Sequence, residues 1–271
     1  MNIKNLLLPV IAASLEAGVA ILEVYHQDFE VEEKEDKSPL TLADKRSHEI
    51  IVSHLLPFDM PILSEEGKSI DYEIRKQWDY FWIVDTLDGT KEFIKRNDEF
   101  TVNIALVKEN KPVLGVIYVP VLRQLYFAAK DFGAYLMTIN SVIDFSQTSL
   151  DQIVVQSRRI DTHAVVDRPY TIVGSRSHAT PELEAYVEKK RKEHETVDFI
   201  SAGSSLKLCR VAEGSADVYP RLGPTMEWDT AAAHAIIKNA NKRMRIFGND
   251  QQLEYNKINL KNDWFVVKSK T

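Results

Sequence analysis

The sequence predicts a mixed α/β (α+β) fold of layered sheets covered by helices, and three observations carry that expectation. Short apolar runs rich in β-branched and aromatic residues recur between residues 60 and 128, with connections short enough for hairpins. From about residue 150, strand-like and helix-like stretches alternate instead. The 271 residues, 44% of them hydrophobic, can fill one large domain or two closely packed halves, and no repeat, low-complexity tract or flexible linker divides them. The expected division is an N-terminal α+β half, residues 1–150, and a C-terminal α/β half, residues 151–271, sharing an interface.

Residues 3–27 read as an amphipathic helix, because Glu16 and Glu23 interrupt an otherwise apolar pattern. No persuasive cleavage site follows the run Leu6-Leu-Leu-Pro-Val-Ile-Ala-Ala13, so it is not read as a signal peptide. No other segment approaches the ~20 apolar residues needed to span a bilayer. Glu30 to Lys37 is a charged strand or loop. Ser38-Pro-Leu-Thr-Leu-Ala-Asp44 leads into a second helix carrying Ile50, Ile51, Leu55 and Leu56 and ending near Pro57. Strands are expected at Met60–Ser64, Tyr80–Val84, Thr101–Val107, Val113–Val119 and Gln124–Ala128, in a largely antiparallel sheet. The second half should hold strands at Ile153–Gln156, Tyr170–Gly174 and Trp264–Val267, with helices at Pro181–Glu193, Ser204–Glu213 and Thr230–Asn239.

A formal net charge of −6 argues against a general nucleic-acid surface but not against small phosphorylated molecules, since bound divalent cations reverse the sign of an acidic pocket. The single cysteine, Cys209, rules out an intramolecular disulfide and fits a reducing, cytoplasmic setting. Its apolar helical context, Leu206-Lys-Leu-Cys-Arg-Val211, favours a packed thiol over a nucleophile.

The chemistry-bearing stretch is Asp85-Thr-Leu-Asp88-Gly89-Thr90, at the end of an apolar strand and before a short helix. Carboxylates can hold hard cations there, and helix-start amides can hold phosphate. A solvated turn, with Thr90 as a cap, accounts for the same residues taken alone. Asp44, Glu65 and Asp229 also stand at element ends, each with an equally plain structural use. For Asp229 that use is an N-cap.

Taken in order, Ser64-Glu65-Glu66-Gly67, Asp85-Thr-Leu-Asp88-Gly89-Thr90 and Trp228-Asp229-Thr-Ala-Ala resemble the inositol monophosphatase superfamily over essentially the whole chain. The resemblance implies an αβαβα layered sandwich, of the type shared with fructose-1,6-bisphosphatase, and Mg²⁺-dependent hydrolysis of phosphate monoesters. Thr86 departs from the family pattern, which has proline there and uses it to shape the turn. The resemblance makes Glu65, Asp85 and the Leu87 carbonyl ligands of one Mg²⁺, and Asp85, Asp88 and Asp229 ligands of a second. A third, weaker ion would lie near Glu65. Two such ions about 4 Å apart clamp the attacking and leaving oxygens of an in-line displacement. Thr90 would take the proton of the attacking water, its hydroxyl polarised by Asp44. The Gly89 and Thr90 amides would cradle the phosphate, beside Glu65, Leu87, Asp88 and Asp229.

Lys91-Glu92-Phe93, Gly203-Ser204-Ser205-Leu-Lys207 and Tyr219-Pro220-Arg221-Leu-Gly-Pro-Thr225 are similar to the 3′(2′),5′-bisphosphate nucleotidase branch, the CysQ type. That similarity implies conversion of 3′-phosphoadenosine 5′-phosphate to AMP and phosphate in sulfur metabolism, with its sulfated analogue as a further substrate. Ser204 and Lys207 would hold the non-reacting 5′-phosphate, while Arg221 would pair with phosphate or stack on adenine. His178 matches a nucleotide contact. Arginine suits a second phosphate where a polyol-binding relative has a carboxylate. Each contact has a plainer use as a helix cap or a solvated charge. An inositol or sugar-phosphate monophosphatase is the alternative activity, and a metal- or nucleotide-binding protein the non-enzymatic one. Monomer and homodimer both fit such a chain, as does loose association with the cytoplasmic face of the inner membrane.

Overall fold

Residues 1–34, 39–160, 168–175 and 180–269 are described by the computed structural model. After a 3-10 turn at Ile3–Leu6, α1 (Leu7–Tyr25) runs through apolar and small residues, exposing only the narrow stripe Glu16, Val19 and Glu23. It is long and apolar enough to cross a membrane by length and composition, yet most of it is buried in this fold. β1 (Val31–Glu33) and β2 (Pro39–Thr41) pair as an antiparallel ribbon. α2 (Leu42–Leu55) follows and closes in a 3-10 turn over Pro57.

The chain continues with β3 (Ile62–Ser64), α3 (Tyr72–Arg75), β4 (Tyr80–Asp88), α4 (Thr90–Ile94), β5 (Thr101–Lys108), β6 (Lys111–Val119), β7 (Gln124–Ala129), β8 (Gly133–Thr138), α5 (Leu150–Val155) and β9 (Arg158–Arg159). Strands β3 to β9 form one sheet in sequence order, parallel between β3 and β4 and antiparallel thereafter. The β5–β6 hairpin turns at Glu109 and Asn110, both at positive φ (47° and 62°), as a tight two-residue hairpin requires.

The second half contributes β10 (Tyr170–Gly174), α6 (Pro181–Glu193), β11 (Val197–Ser201), α7 (Leu206–Glu213), β12 (Val218–Arg221), α8 (Glu227–Asn239), β13 (Lys242–Ile246) and β14 (Phe265–Ser269). Its five strands lie in the order β11-β10-β12-β14-β13.

Two cores explain the layering. Trp82 and Val84 of β4 pack with α1 and α2 on one face of the large sheet, while Phe81 and Ile83 pack with α7, α8 and the small sheet on the other. With α6 against β12 on the far side, the layers read α, β, α, β, α. Burial of both faces is why β4 appears in the sequence as an unbroken apolar run. At Gly115 a Cβ would come within 2.1 Å of the Ala232 carbonyl oxygen, so glycine lets α8 lie directly on β6.

Three expectations need correction. Ile153–Gln156 is not a strand: Ser149 and Gln152 form a capping box that starts α5, and the helix overrides the β-branched run. The last long helix begins at Glu227, not Thr230, so Asp229 occupies the third helical position and is not its N-cap. Ser204 lies ahead of α7 with φ +51°, and Ser205 holds the cap position, so Ser204 does not begin that helix. Strands β8, β11, β12 and β13 were not expected. Three of them are only four or five residues long and interleave apolar with charged residues.

Candidate active site

The parallel pairing of β3 with β4 sets Ser64 beside Val84, and the Glu65 amide continues the ladder by donating to the Val84 carbonyl at 3.1 Å. Glu65 therefore leaves β3 next to Asp85. Between Asp85 and Asp88 the β4–β5 register shifts, and the Leu87 amide donates to Asp85 Oδ1 at 3.1 Å. From the opposite layer α8 delivers Asp229, whose Oδ2 accepts the Met226 amide at 2.9 Å. Carboxylate oxygens of Glu65, Asp85 and Asp229 all lie within 4.8 Å of one another.

Burial followed by mutual repulsion pushes the Asp85 carboxyl well above the ordinary range and Asp229 up to about 8. Glu65 also rises through burial, against the pull of Lys34. Such a set lacks positive charge, and its hard oxygen donors fit a divalent cation. Lys34 supplies part of that charge, its ammonium lying 3.0 Å from Glu65 Oε1 and 2.5 Å from Glu66 Oε1. Burial opposes the Lys34 charge, but Glu65 and Glu66 outweigh it and raise its pKa. Nothing in the sequence distinguished this lysine from Glu30, Glu32 and Glu33, which are exposed.

Asp44 sits in the first turn of α2, not ahead of it. Its Oδ2 accepts both the Thr41 amide and the Thr41 hydroxyl at 2.7 Å, and its Oδ1 accepts the Thr90 hydroxyl at 3.4 Å. Burial raises its carboxyl. Thr90, the first residue of α4, also lies 3.3 Å from the Leu87 carbonyl. Gly89, at φ +92°, turns the chain between them. Thr86 donates at 3.4 Å to the Asp44 carbonyl, a contact that proline could not make.

Asp88 lies outside that group of three but close enough for its charge to act on each of them. Its Oδ2 accepts the Ser204 hydroxyl and the Ser205 amide, both at 2.6 Å, and Asn103 Nδ2 at 3.4 Å. Asn103 stands opposite Asp85 on β5 and accepts the Ser205 hydroxyl at 2.7 Å. Sequence reasoning passed it over, although a lone amide in the apolar run Thr101-Val-Asn-Ile was a usable signal.

Lys207 is buried and donates to the Ser204 carbonyl at 2.7 Å. Burial pulls its pKa down to about 8, with Asp88 opposing. Arg221 donates to the Pro224 carbonyl at 2.6 Å, while its buried Nε has no hydrogen-bond partner among the described residues. One recess is lined by Asp88, Ser204, Lys207, Arg221 and Asp229. It adjoins a second, of about 170 Å³, that shares Tyr219 and Arg221 and adds Leu183, Pro220, Leu222 and Pro224. Lys91 is exposed, and Phe93 belongs to the core with Tyr25 and Phe100. Cys209 is a packed thiol, raised by burial. His178 lies outside the described residues.

The inositol monophosphatase family pattern matches residues 4–265. The chain belongs to this family. Among curated family members, the Salmonella typhimurium 3′(2′),5′-bisphosphate nucleotidase CysQ is 47% identical over 224 residues, covering 81% of this chain and 82% of that protein. The Escherichia coli protein of the same name is 46% identical, covering 83% of each chain. The crystal structure of CysQ from Bacteroides thetaiotaomicron, described as a bacterial member of the inositol monophosphatase family, superposes with a TM-score of 0.91. It is 48% identical and covers 100% of this chain and 99% of that one. The suhB structure from Bartonella henselae shares the fold at a TM-score of 0.72 and 23% identity, covering 98% of this chain and 94% of its own.

Proposed function

We propose that this chain is a Mg²⁺-dependent 3′(2′),5′-bisphosphate nucleotidase that converts 3′-phosphoadenosine 5′-phosphate to AMP and phosphate. The observation that carries the reading is one recess with two electrostatic ends. At one end Asp229 joins Glu65 and Asp85; at the other stand Lys207 and Arg221. A single phosphate needs the first end alone, whereas a bisphosphate uses both. The nucleotidase names of relatives at 46–47% identity support the same substrate.

Glu65, Asp85, the Leu87 carbonyl, Asp88 and Asp229 would hold two Mg²⁺ ions, Asp88 Oδ2 being the oxygen that Ser204 and Ser205 engage. A third ion would lie near Glu65. Bound Mg²⁺ would activate the attacking water and stabilise charge at the reacting phosphoryl group. The chain's own groups do the rest. Thr90 Oγ donates to Asp44 Oδ1, so it can accept the water's proton as its own hydroxyl proton passes to the Asp44 carboxylate. The Thr41 amide and hydroxyl hold the Asp44 carboxyl in orientation. Gly89 and Thr90 position the 3′-phosphate by their backbone amides. Lys207 and Ser204 bind the 5′-phosphate, and Arg221 pairs with phosphate or stacks on adenine. The apolar lobe at Leu183, Pro220 and Leu222 offers the nucleoside a dry surface.

Side-by-side turnover of 3′-phosphoadenosine 5′-phosphate and inositol 1-phosphate with Mg²⁺ tests the reading. A clear preference for the nucleotide is expected. Preference for the inositol ester would sink it, and absence of phosphate release from any monoester would leave a binding protein.

A further inference from the structure

Asp229 is held among carboxylates that repel it, Asp88 first and then Glu65, so something must fix the start of α8. Its neighbour in the same helical turn, Glu227, is wholly buried. Glu227 Oε2 accepts the Asn256 amide at 2.6 Å, and Oε1 accepts the Lys257 amide at 3.0 Å and the Lys257 ammonium at 2.7 Å. The Glu227 amide donates to the Leu260 carbonyl at 2.9 Å. Asn262 Nδ2 reaches the Met226 carbonyl at 2.7 Å and the Thr230 hydroxyl at 3.0 Å. The irregular segment 251–262 thus straps the first turn of α8.

The strap is tied to the other layer as well. Arg75, buried in α3 between Glu65 and β4, donates to Asn256 Oδ1 at 2.7 Å and to the Lys257 carbonyl at 3.2 Å. Asn256 Nδ2 returns a bond to the Arg75 carbonyl at 2.6 Å. A continuous polar chain therefore runs from the segment after Glu65, through Asn256 and Lys257, to the turn that carries Asp229.

Stability alone is a poor reason for this arrangement. Burying the Glu227 carboxylate beside the part-exposed Lys257 ammonium carries a desolvation cost that their attraction need not repay. What a fully bonded ionic pair supplies is one geometry. We propose that Glu227, clamped by Lys257 and the Arg75–Asn256 link, is a positioning residue that keeps Asp229 in register with Glu65 and Asp85 for cation capture. The proposal rests on those three carboxylates being metal ligands.

The test is calorimetric titration of the full-length, substrate-free protein with Mn²⁺, together with the unfolding midpoint of each variant. Glu227→Gln should weaken Mn²⁺ binding by roughly 10- to 100-fold, the usual effect of losing a partner that orients a ligand. The decisive variant is the double change Glu227→Gln with Lys257→Met, in which the glutamine keeps a side-chain oxygen for a strap amide. It leaves net charge unchanged, so a loss of affinity cannot come from the long-range field. Its midpoint should stay close to that of the wild type, while Mn²⁺ affinity stays at least about tenfold weaker. This split is the signature of positioning, and the double variant carries the test if Glu227→Gln does not fold. A double variant that binds Mn²⁺ as tightly as wild type overturns the proposal. Wild type that binds Mn²⁺ but spares the bisphosphate sinks the nucleotidase reading and leaves this one standing. Wild type that binds no Mn²⁺ removes both.

Discussion

The acidic and the cationic ends of the recess are built in different ways. Glu65, Asp85 and Thr90 come from consecutive segments around β3 and β4, and main-chain ladders fix them: Ser64 beside Val84, Asp85 opposite Asn103. Ser204, Lys207 and Arg221 come from a positive-φ turn, a buried helix position and a strand end of the other layer. They are held by side-chain contacts, including the bonds from Ser204 and Ser205 to Asp88. In the proposed reading the first end carries the general chemistry. The second would carry the choice of substrate, its residues exchanging protein partners for a phosphate.

The largest expected effect separates chemistry from folding. Asp85→Asn should lower turnover by on the order of 10³-fold for every monoester, since several kcal/mol of charge stabilisation go with the cation. The metal-free variant should unfold no lower than wild type, because one repelling charge is gone. The same repulsion gives a pH signature. Asp229, Asp85 and Glu65 have folded pKa values raised above their unfolded ones, to about 8 for Asp229, so the folded state binds more protons. The metal-free protein should lose stability as pH rises from about 4 towards 8, and saturating Mg²⁺ should flatten the trend. An Asp85→Asn midpoint far below wild type would mean that the acidic end is structural.

Arg221→Glu should break the other end alone. Loss of a charge-assisted bond of ~1.5–3 kcal/mol predicts a fall of at least ten- to a hundredfold in kcat/KM for the bisphosphate, with a small ester such as p-nitrophenyl phosphate changed less than about threefold. Equal losses on both substrates would erase the division of labour. Lys207 sharpens the comparison further. Because burial sets its pKa at about 8, bisphosphate affinity should decline once pH passes that value, and Lys207→Met should remove the decline. The smallest effect is expected for Thr86→Pro. It deletes the 3.4 Å contact to the Asp44 carbonyl and one backbone N–H at the register shift, so stability should change by about 1 kcal/mol and turnover by less than about threefold.

The acidic end was the legible one. Ser64-Glu65-Glu66-Gly67 and Asp85-Thr-Leu-Asp88-Gly89-Thr90 are short local patterns at strand ends, where a turn forces carboxylates out of the ladder. Strands β5, β6 and β7 were readable for a related reason, because apolar runs flanked by turn residues need no distant partner to be recognised. Lys34, Asn103 and the strap around Glu227 were not readable. Each acts through a residue far away in sequence, and a charged or amide side chain looks the same in a list whether it is solvated or buried. The Ile153–Gln156 error has the same root, since three β-branched residues outweighed a capping box that decides the matter locally.

By itself the sequence determined that this chain folds into layered sheets and helices and that its carboxylates belong to a phosphate-hydrolysing family. Those properties depend on periodicity and on short motifs, which are local. Only the tertiary structure decided that Asp88 turns to Ser204 and Ser205, that Lys207 is buried, and that a strap from residues 251–262 holds Asp229 in place. Those facts depend on which side chains burial forces together, and burial is set by the packing of two sheets from opposite halves of the chain.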